Sequence, residues 1–506
     1  MSAGRVLFVG AGPGDPGLLT LRGRQALGDA QVVVVDRGVP GVLLDGLPDS
    51  TERVWVGAGP DAVPVSAVPP LLAARAAAGL RVVRLLAGDG ASFAREGEAL
   101  SREGVRFEVV AGVTPAVAGV AYAGIPLTHG GLAAHAAILA SEDHAAIDWR
   151  RDGKAGDTVV ARVTARTLGA AVAGLMRSGR HPETPAAVIA RPASFEQRTV
   201  AAPLRSLEAE ARHAGLDAPE ILVVGEVVRL RSRLAWLERR PLFARRVIVT
   251  RPRAQAPRFA ALLEASGAEV VAVPTIRLEP PDDLGPLDAA IGELSRFDWV
   301  VFTSANGVAA FGERLARAGL DARALSRARL AAVGPETAET LRSLGLRADL
   351  VPEEFRAEGL AATLRPHVGP GSEVLLVRAT EAREVLPREL EALGARVVIA
   401  PAYRTVPVKE GADLVLTLLE TRGVDAVTFT SSSTVRGFLG LLPREEIRRL
   451  LAGVALAAIG PITAATLAEY GLEASVMPRE YTIPALAAGI AAHFAPLTTP
   501  ATREEG

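Results

Sequence analysis

The chain of 506 residues has no cysteine, which excludes disulfides, thiolate nucleophiles, iron–sulfur clusters and cysteine-ligated zinc. It also lacks an excess of charge. With 56 basic against 57 acidic residues, no overall field draws it onto nucleic acid or an anionic membrane. Lysine is nearly missing, Lys154 and Lys409 being the only two, and this arginine bias carries no functional weight by itself. The start has a short apolar run before a glycine turn and does not read as a signal peptide, so a soluble, cytoplasmic protein is expected. Long hydrophobic runs are absent with one exception. Residues 109–141 hold no Asp, Glu, Lys or Arg and are long enough to span a bilayer. Pro115, Pro126, five glycines and the histidines His129 and His135 break the run, which predicts a strand, a glycine-rich helix and a loop instead. What is present, 49% apolar and 22% charged residues, suits about three domains or two large ones with real cores.

Short β-branched runs alternate with Ala/Leu/Arg stretches, the pattern of α/β layers with mostly parallel sheets. A boundary falls near residue 242, dividing the chain into domains at 1–242 and 243–506. The second part repeats itself. Arg251 and Arg378, Gly267 and Gly394, Pro274 and Pro401, and Phe302 and Phe429 are each 127 residues apart, and Val333 and Ile459 are 126 apart. Five matched landmarks at one period imply two similar α/β lobes with a cleft between them.

Each repeat holds strand–turn–helix junctions rich in small polar residues: Thr303, Ser304, Asn306, Gly334 and Thr337, then Thr430, Ser431, Ser432, Gly460 and Thr463. A helix start exposes unpaired N–H groups and the positive end of the helix dipole. Hydroxyls there either cap the helix or bind an anion. For a single Ser or Thr, capping is the simpler reading. Four equivalent junctions facing one cleft point to a ligand with several carboxylates or phosphates. No Walker lysine is present, which argues against a nucleoside triphosphate.

Thr-Arg-Pro-Arg at 250–253, Phe-Thr-Ser-Ala-Asn-Gly at 302–307, Ala-Val-Gly-Pro at 332–335, Tyr-Arg-Thr at 403–405, Phe-Thr-Ser at 429–431 and Ala-Ile-Gly at 458–460 together resemble uroporphyrinogen-III synthase. The likeness runs from about residue 243 to 494. It implies two lobes in which the first strands pack beside the last ones. It also implies a reaction without cofactor, in which hydroxymethylbilane closes to uroporphyrinogen III with inversion of the last pyrrole ring and loss of water. Tyr403 matches the family tyrosine that helps the hydroxyl leave, and a packed strand tyrosine is the alternative. Arg251, Arg253, Arg378 and Arg383 are candidate carboxylate contacts, although an exposed helix-end arginine is usually only solvated.

In the first part, residues 6–16 form a strand and glycine turn, and residues 32–36 a strand ending in Asp36. This superficially fits a dinucleotide site. However, Asp15 stands where the third glycine is needed, and Pro13 and Pro16 remove N–H groups. The string Gly-Ala-Gly-Pro-Gly-Asp-Pro-Gly-Leu-Leu-Thr at 10–20, with residues 122–129 and 223–231, resembles instead uroporphyrinogen-III C-methyltransferase and its tetrapyrrole-methylase relatives. That implies a two-lobed fold, S-adenosylmethionine as cofactor, uroporphyrinogen III as substrate, precorrin-2 as product and a homodimer through this domain. Gly12, Pro13, Gly88, Asp89 and Thr114 then hold the cofactor, with Asp36, Arg95 and Glu98 on the substrate side. The chain departs from the pattern at Ala87 and Gly90, where the family signature reads Gly-Gly-Asp-Pro, and at Arg162 and Gly130, and no Lys or Arg follows Gly57. The first three departures predict weak or no cofactor binding, and three readings follow for this half: an active methyltransferase, a methylase fold kept as a scaffold or docking partner, and a methylase of altered specificity. No metal is expected, because His129, His135 and His144 lack helical pairing and accompanying carboxylates. The rival from another class is a non-catalytic bilobed protein that binds a tetrapyrrole or other anion.

Overall fold

A computed structural model describes residues 4–495 except 46, 49, 60, 142–146 and 155, so His144 lies outside the described residues. The chain forms two compact units, Met1–Ala244 and Arg245–Gly506.

The first unit opens with β1 (Arg5–Gly10), β2 (Val32–Asp36), β3 (Glu52–Val56), β4 (Ala62–Val63), β5 (Arg81–Leu86) and β6 (Phe107–Val110). They make one parallel sheet in the order β4-β3-β2-β5-β1-β6. The four consecutive valines of β2 are all buried, as expected of a parallel strand covered on both faces. The uncharged stretch becomes β6, a helix at Pro115–Tyr122 and β7 (Ala136–Leu139). Among the described residues, no helix is long and apolar enough to cross a membrane. With β8 (Thr158–Arg162), β9 (Pro185–Ala190), β10 (Arg198–Pro203) and β11 (Pro219–Val224), β7 builds a second sheet in the order β10-β9-β11-β8-β7.

In the second unit the chain runs through β12 (Arg246–Val249), β13 (Glu269–Ala272), β14 (Ile276–Glu279), β15 (Trp299–Phe302) and β16 (Arg329–Ala332). It continues through β17 (Glu373–Ala379), β18 (Arg396–Pro407), β19 (Ala426–Phe429) and β20 (Ala455–Ala458). The sheets are β13-β12-β19-β20 and β14-β18-β17-β15-β16. The first strands thus pack beside the last ones. The sequence repeat and the lobes do not coincide, because each lobe takes one β-α-β pair from each half of the repeat. The order β13-β12-β19-β20 matches β18-β17-β15-β16, so the lobes are alike although each is assembled from both halves. The core repeats too: Phe302 meets Phe311 edge-on at 5.4 Å, and Phe429 meets Phe438 at 5.6 Å. In both lobes the connections leave the two central strands in opposite directions, which opens a crevice at their carboxyl ends.

Candidate functional site

The four helix starts at those carboxyl ends are of two kinds. Ser304 caps the helix Ala305–Arg317 by accepting from the Gly307 N–H at 3.0 Å. Ser431 caps Ser432–Leu439 in a capping box with Thr434. By contrast, Gly334 and Gly460 start Pro335–Ser343 and Pro461–Glu469 with extended backbone and no side-chain cap. Proline suits the first helical position because its missing N–H has no partner there anyway.

Tyr403, half-buried on β18, brings its hydroxyl to 3.0 Å from the Ser304 hydroxyl. A register shift at Arg378 and Ala379 sets Tyr403 opposite Ala379. Most of the other small polar candidates are engaged within the fold. Thr303 donates to the Val377 carbonyl at 3.4 Å, Ser432 accepts from Thr466 at 2.7 Å, and Asn306 accepts from Gln255 at 2.6 Å. Thr337 and Thr463 were expected at the cleft surface, but both are buried on the inner face of their helices.

The arginines also need correction. Arg251 and Arg378 are not solvated helix-end residues: they are only 8% and 7% exposed. Each sits where a strand ends inside the crevice, and the Nε of each is buried without a hydrogen-bond partner. Arg251 donates to Gln255 at 3.0 Å and to Glu336 at 3.3 Å. Arg378 donates to Glu384 and to the Arg383 carbonyl. Arg253 is exposed, and Arg383 pairs with Glu358 at 2.8 Å on the surface. The Arg251–Glu336 and Gln255–Asn306 contacts join the β12 lobe to the β15 lobe. The sequence reading missed Gln255, which lies outside the repeated landmarks, and Glu336, whose counterpart in the other repeat is Ile462.

In the first unit, Gly12 and Gly88 exchange backbone hydrogen bonds of 2.9 and 3.0 Å where β1 and β5 end. A Cβ added at Gly10 or Gly112 would lie 2.6 Å from backbone atoms of the neighbouring loops, so three strand ends close on one another only because glycine is there. Asp89 belongs to this cluster, its carbonyl accepting from the Gly112 N–H at 3.0 Å. Thr114 stands at the start of Pro115–Tyr122 without a side-chain capping bond. Pro13 lies in the same turn, and next to it Gly14 comes so close to Pro192 that a Cβ would be 2.9 Å from its carbonyl. Arg191 and Ala193, flanking Pro192, have φ of 48° and 56°, strained values for residues with a Cβ.

Asp15 has a task of its own. It accepts from the Gly17 N–H at 2.7 Å and from the Tyr122 hydroxyl at 2.6 Å, tying the glycine turn to the end of the helix Pro115–Tyr122. Burial, and then the bond to Asp15, pushes the Tyr122 phenol well above its ordinary pKa.

Asp36 does not stand alone, because the buried Arg84 donates to it at 2.6 Å and to Glu96 at 2.9 Å. Arg84 and Glu96 were missed, although an arginine inside the apolar run of β5 was a visible signal. Arg95 and Glu98 are exposed on the helix Ala94–Arg102.

Two of the grounds for weak cofactor binding lose force in the fold. Ala87 is exposed with its Cβ toward Gly38, and Arg162 is exposed at the end of β8, so neither puts a side chain or charge into a dry cavity. The third concerns the turn itself: Gly90 has φ +80°, which no proline adopts, so glycine at this position is built into the backbone. The glycine-lined strand ends and the free position of Thr114 fit a nucleoside-bearing methyl donor on these observations.

The family described as Uroporphyrinogen-III synthase HemD matches residues 257–488, and that described as Tetrapyrrole (Corrin/Porphyrin) Methylases matches residues 5–208. The Porphyrin biosynthesis protein HemD of Ruminiclostridium josui is 32% identical over 481 residues, covering 93% of this chain and 95% of that protein. The S-adenosyl-L-methionine-dependent uroporphyrinogen III methyltransferase of Methanosarcina barkeri is 38% identical over 238 residues, 45% of this chain and 93% of that protein. A crystal structure of uroporphyrin-III C-methyltransferase from Thermus thermophilus, complexed with S-adenosyl homocysteine, is 36% identical with a TM-score of 0.38, covering 45% of this chain and 99% of that one.

Proposed function

The chain belongs to the family of the porphyrin biosynthesis protein HemD, as a tetrapyrrole methylase domain followed by a uroporphyrinogen-III synthase domain, and from that premise we propose how its two units divide the chemistry. The second unit closes hydroxymethylbilane to uroporphyrinogen III. The observation that carries this reading is the Tyr403–Ser304 pair at 3.0 Å above a capped helix start. The Ser304 oxygen already accepts the Gly307 N–H, so its own proton is free for the Tyr403 oxygen. The Tyr403 proton then remains for the substrate. Given to the hydroxymethyl oxygen, it lets that group leave as water and generates an azafulvene cation on the first ring. That cation closes onto the last ring through a spiro intermediate, whose rearrangement inverts the ring. Most of the acceleration comes from holding the flexible chain in the folded conformation, with one positioned acid supplying about 10²-fold or more. The buried guanidinium groups of Arg251 and Arg378 face no desolvation cost beyond what the fold already bears, and they place positive charge at the ends of β12 and β17, where it favours substrate carboxylates.

The first unit binds S-adenosylmethionine through Gly12, Pro13, Gly88, Asp89 and Thr114, and the cofactor supplies an electrophilic methyl group when bound. The likeness to a methyltransferase that depends on this cofactor supports the assignment. Arg84 holds Asp36 in place at the end of β2, and Asp36, with the exposed Arg95 and Glu98, is assigned to the side from which uroporphyrinogen III is taken.

The test is the mass and isomer type of the product formed from hydroxymethylbilane with S-adenosylmethionine present. Type III skeleton carrying one or two added methyl groups is expected. Unmethylated type III product would restrict the reading to the synthase, and no acceleration at all would favour a binding protein. Tyr403→Phe is expected to lower kcat about 10²-fold with KM little changed. An unchanged kcat would remove Tyr403 from the proton transfer while leaving the synthase assignment in place.

A further inference from the structure

The two uncapped helix starts share a feature that the capped ones lack. Beyond β16 the chain runs at residues 349–355 along the edge of the sheet, where Ala332 N–H donates to the Leu350 carbonyl at 3.0 Å and Asp349 accepts from the Leu330 N–H at 2.7 Å. Beyond β20 the same path recurs, with Ala458 N–H donating to the Val476 carbonyl at 2.9 Å and Ser475 accepting from the Leu456 N–H at 3.3 Å. Each edge segment ends in an aromatic residue, Phe355 or Tyr481, 126 positions apart, laid against the glycine that starts the helix. A Cβ on Gly334 would be 3.3 Å from Phe355, and one on Gly460 would be 3.2 Å from the Tyr481 ring. The backbone at both glycines is extended (φ −172° and −169°) and open to any residue. The glycines are therefore there to make room for the rings. A serine at either position would crowd its ring, and these two helices start without a side-chain cap, which leaves the N–H groups after the first-position proline without a capping partner.

Both rings remain open to solvent, Phe355 at 40% and Tyr481 at 45%, although aromatic side chains of this size usually bury more. The Arg251 guanidinium reaches the first turn of the Gly334 helix through Glu336, and its buried Nε has no partner. Arg356, next to Phe355, donates to Glu354 at 2.9 Å.

We propose that Phe355 and Tyr481 are paired stacking walls, one per lobe, each holding the face of a carboxylate-bearing pyrrole ring whose acid groups meet the uncapped helix start beside it. This rests on the synthase reading of the second unit and adds the residues that set the folded shape of its substrate. A planar π-ring suits an electron-rich heterocycle, and free N–H groups suit its carboxylates. Two walls at equivalent places would hold two rings of the linear chain at a fixed separation before closure.

Phe355→Leu and Tyr481→Leu, singly and together, test the walls while keeping apolar bulk, and melting temperatures check that each variant folds. Each single change is expected to raise KM about three- to ten-fold, the double change more, with kcat within about two-fold and a larger share of product closed without ring inversion. Tyr481→Phe, which keeps the ring and loses only the hydroxyl, should raise KM less than Tyr481→Leu. Wild-type KM and isomer ratio in both leucine variants would overturn the proposal, as would a loss confined to kcat. Binding of uroporphyrin III, followed by absorbance, separates this from the synthase reading. If the wild type binds it without ever closing hydroxymethylbilane, and the leucine variants bind several-fold more weakly, the walls stand and the catalytic assignment fails.

Discussion

Single side chains set the character of both sites through partners that lie far away in sequence. Asp15 and Tyr122 are the clearest case, joined at 2.6 Å across 107 residues. The raised phenol gives this bond a distinct pH signature. The unfolded chain loses the Tyr122 proton near pH 10, whereas the folded chain keeps it, so the contribution is fully present below about pH 10 and is lost as the pH rises toward the folded value. Tyr122→Phe should lower stability by about 1 kcal/mol at neutral pH and flatten the alkaline loss above about pH 10. Urea titrations of both proteins across pH 8–11 measure this, and parallel slopes would separate Tyr122 from the alkaline transition. Asp15 also explains a residue that looked like a defect. It fails as the third glycine of a dinucleotide fingerprint because it anchors the turn to a helix.

At the scale of elements, the glycine turns divide by what demands the glycine. Gly334 and Gly460 yield space to a ring, whereas Gly90 is set by its backbone, with φ +80° and a would-be Cβ 3.2 Å from Gly10. A family motif with proline at this position invites Gly90→Pro as a restoration. In this turn proline cannot reach the required φ, and the change should destabilise the first unit by more than about 1 kcal/mol and weaken S-adenosylmethionine binding. Thermal melting and calorimetry would show both effects, and tighter binding at unchanged stability would mean that the turn reshapes freely. The capped starts at Ser304 and Ser431 were legible as capping sequences from the hydroxyl before each helix. Whether a hydroxyl also met a ligand was not legible, because Tyr403 reaches Ser304 from a strand 99 residues away.

For the whole molecule, each unit has its own sheets and its own buried clusters, Val32 to Val35 in one and Phe302 with Phe311 in the other. We therefore expect residues 1–244 and 245–506, made separately, to melt cooperatively, each with its own transition. A half that stays molten would show that its core is completed by the other. The α/β class, the two-part division, the internal repeat near 127 residues and the family likeness of each part are legible in local pattern alone. These follow from local periodicity and from glycine, proline and hydroxyl residues at strand ends, whose requirements act within a few positions of the chain. That each lobe borrows strands from both repeats, that Arg251 and Arg378 are buried with unmatched Nε groups, that Arg84 holds Asp36, and that Phe355 and Tyr481 lie against the uncapped helix starts emerges only from the folded chain. Burial and partnership depend on which strands become neighbours in a sheet, and hydrogen bonding over more than a hundred residues leaves no trace in a local pattern.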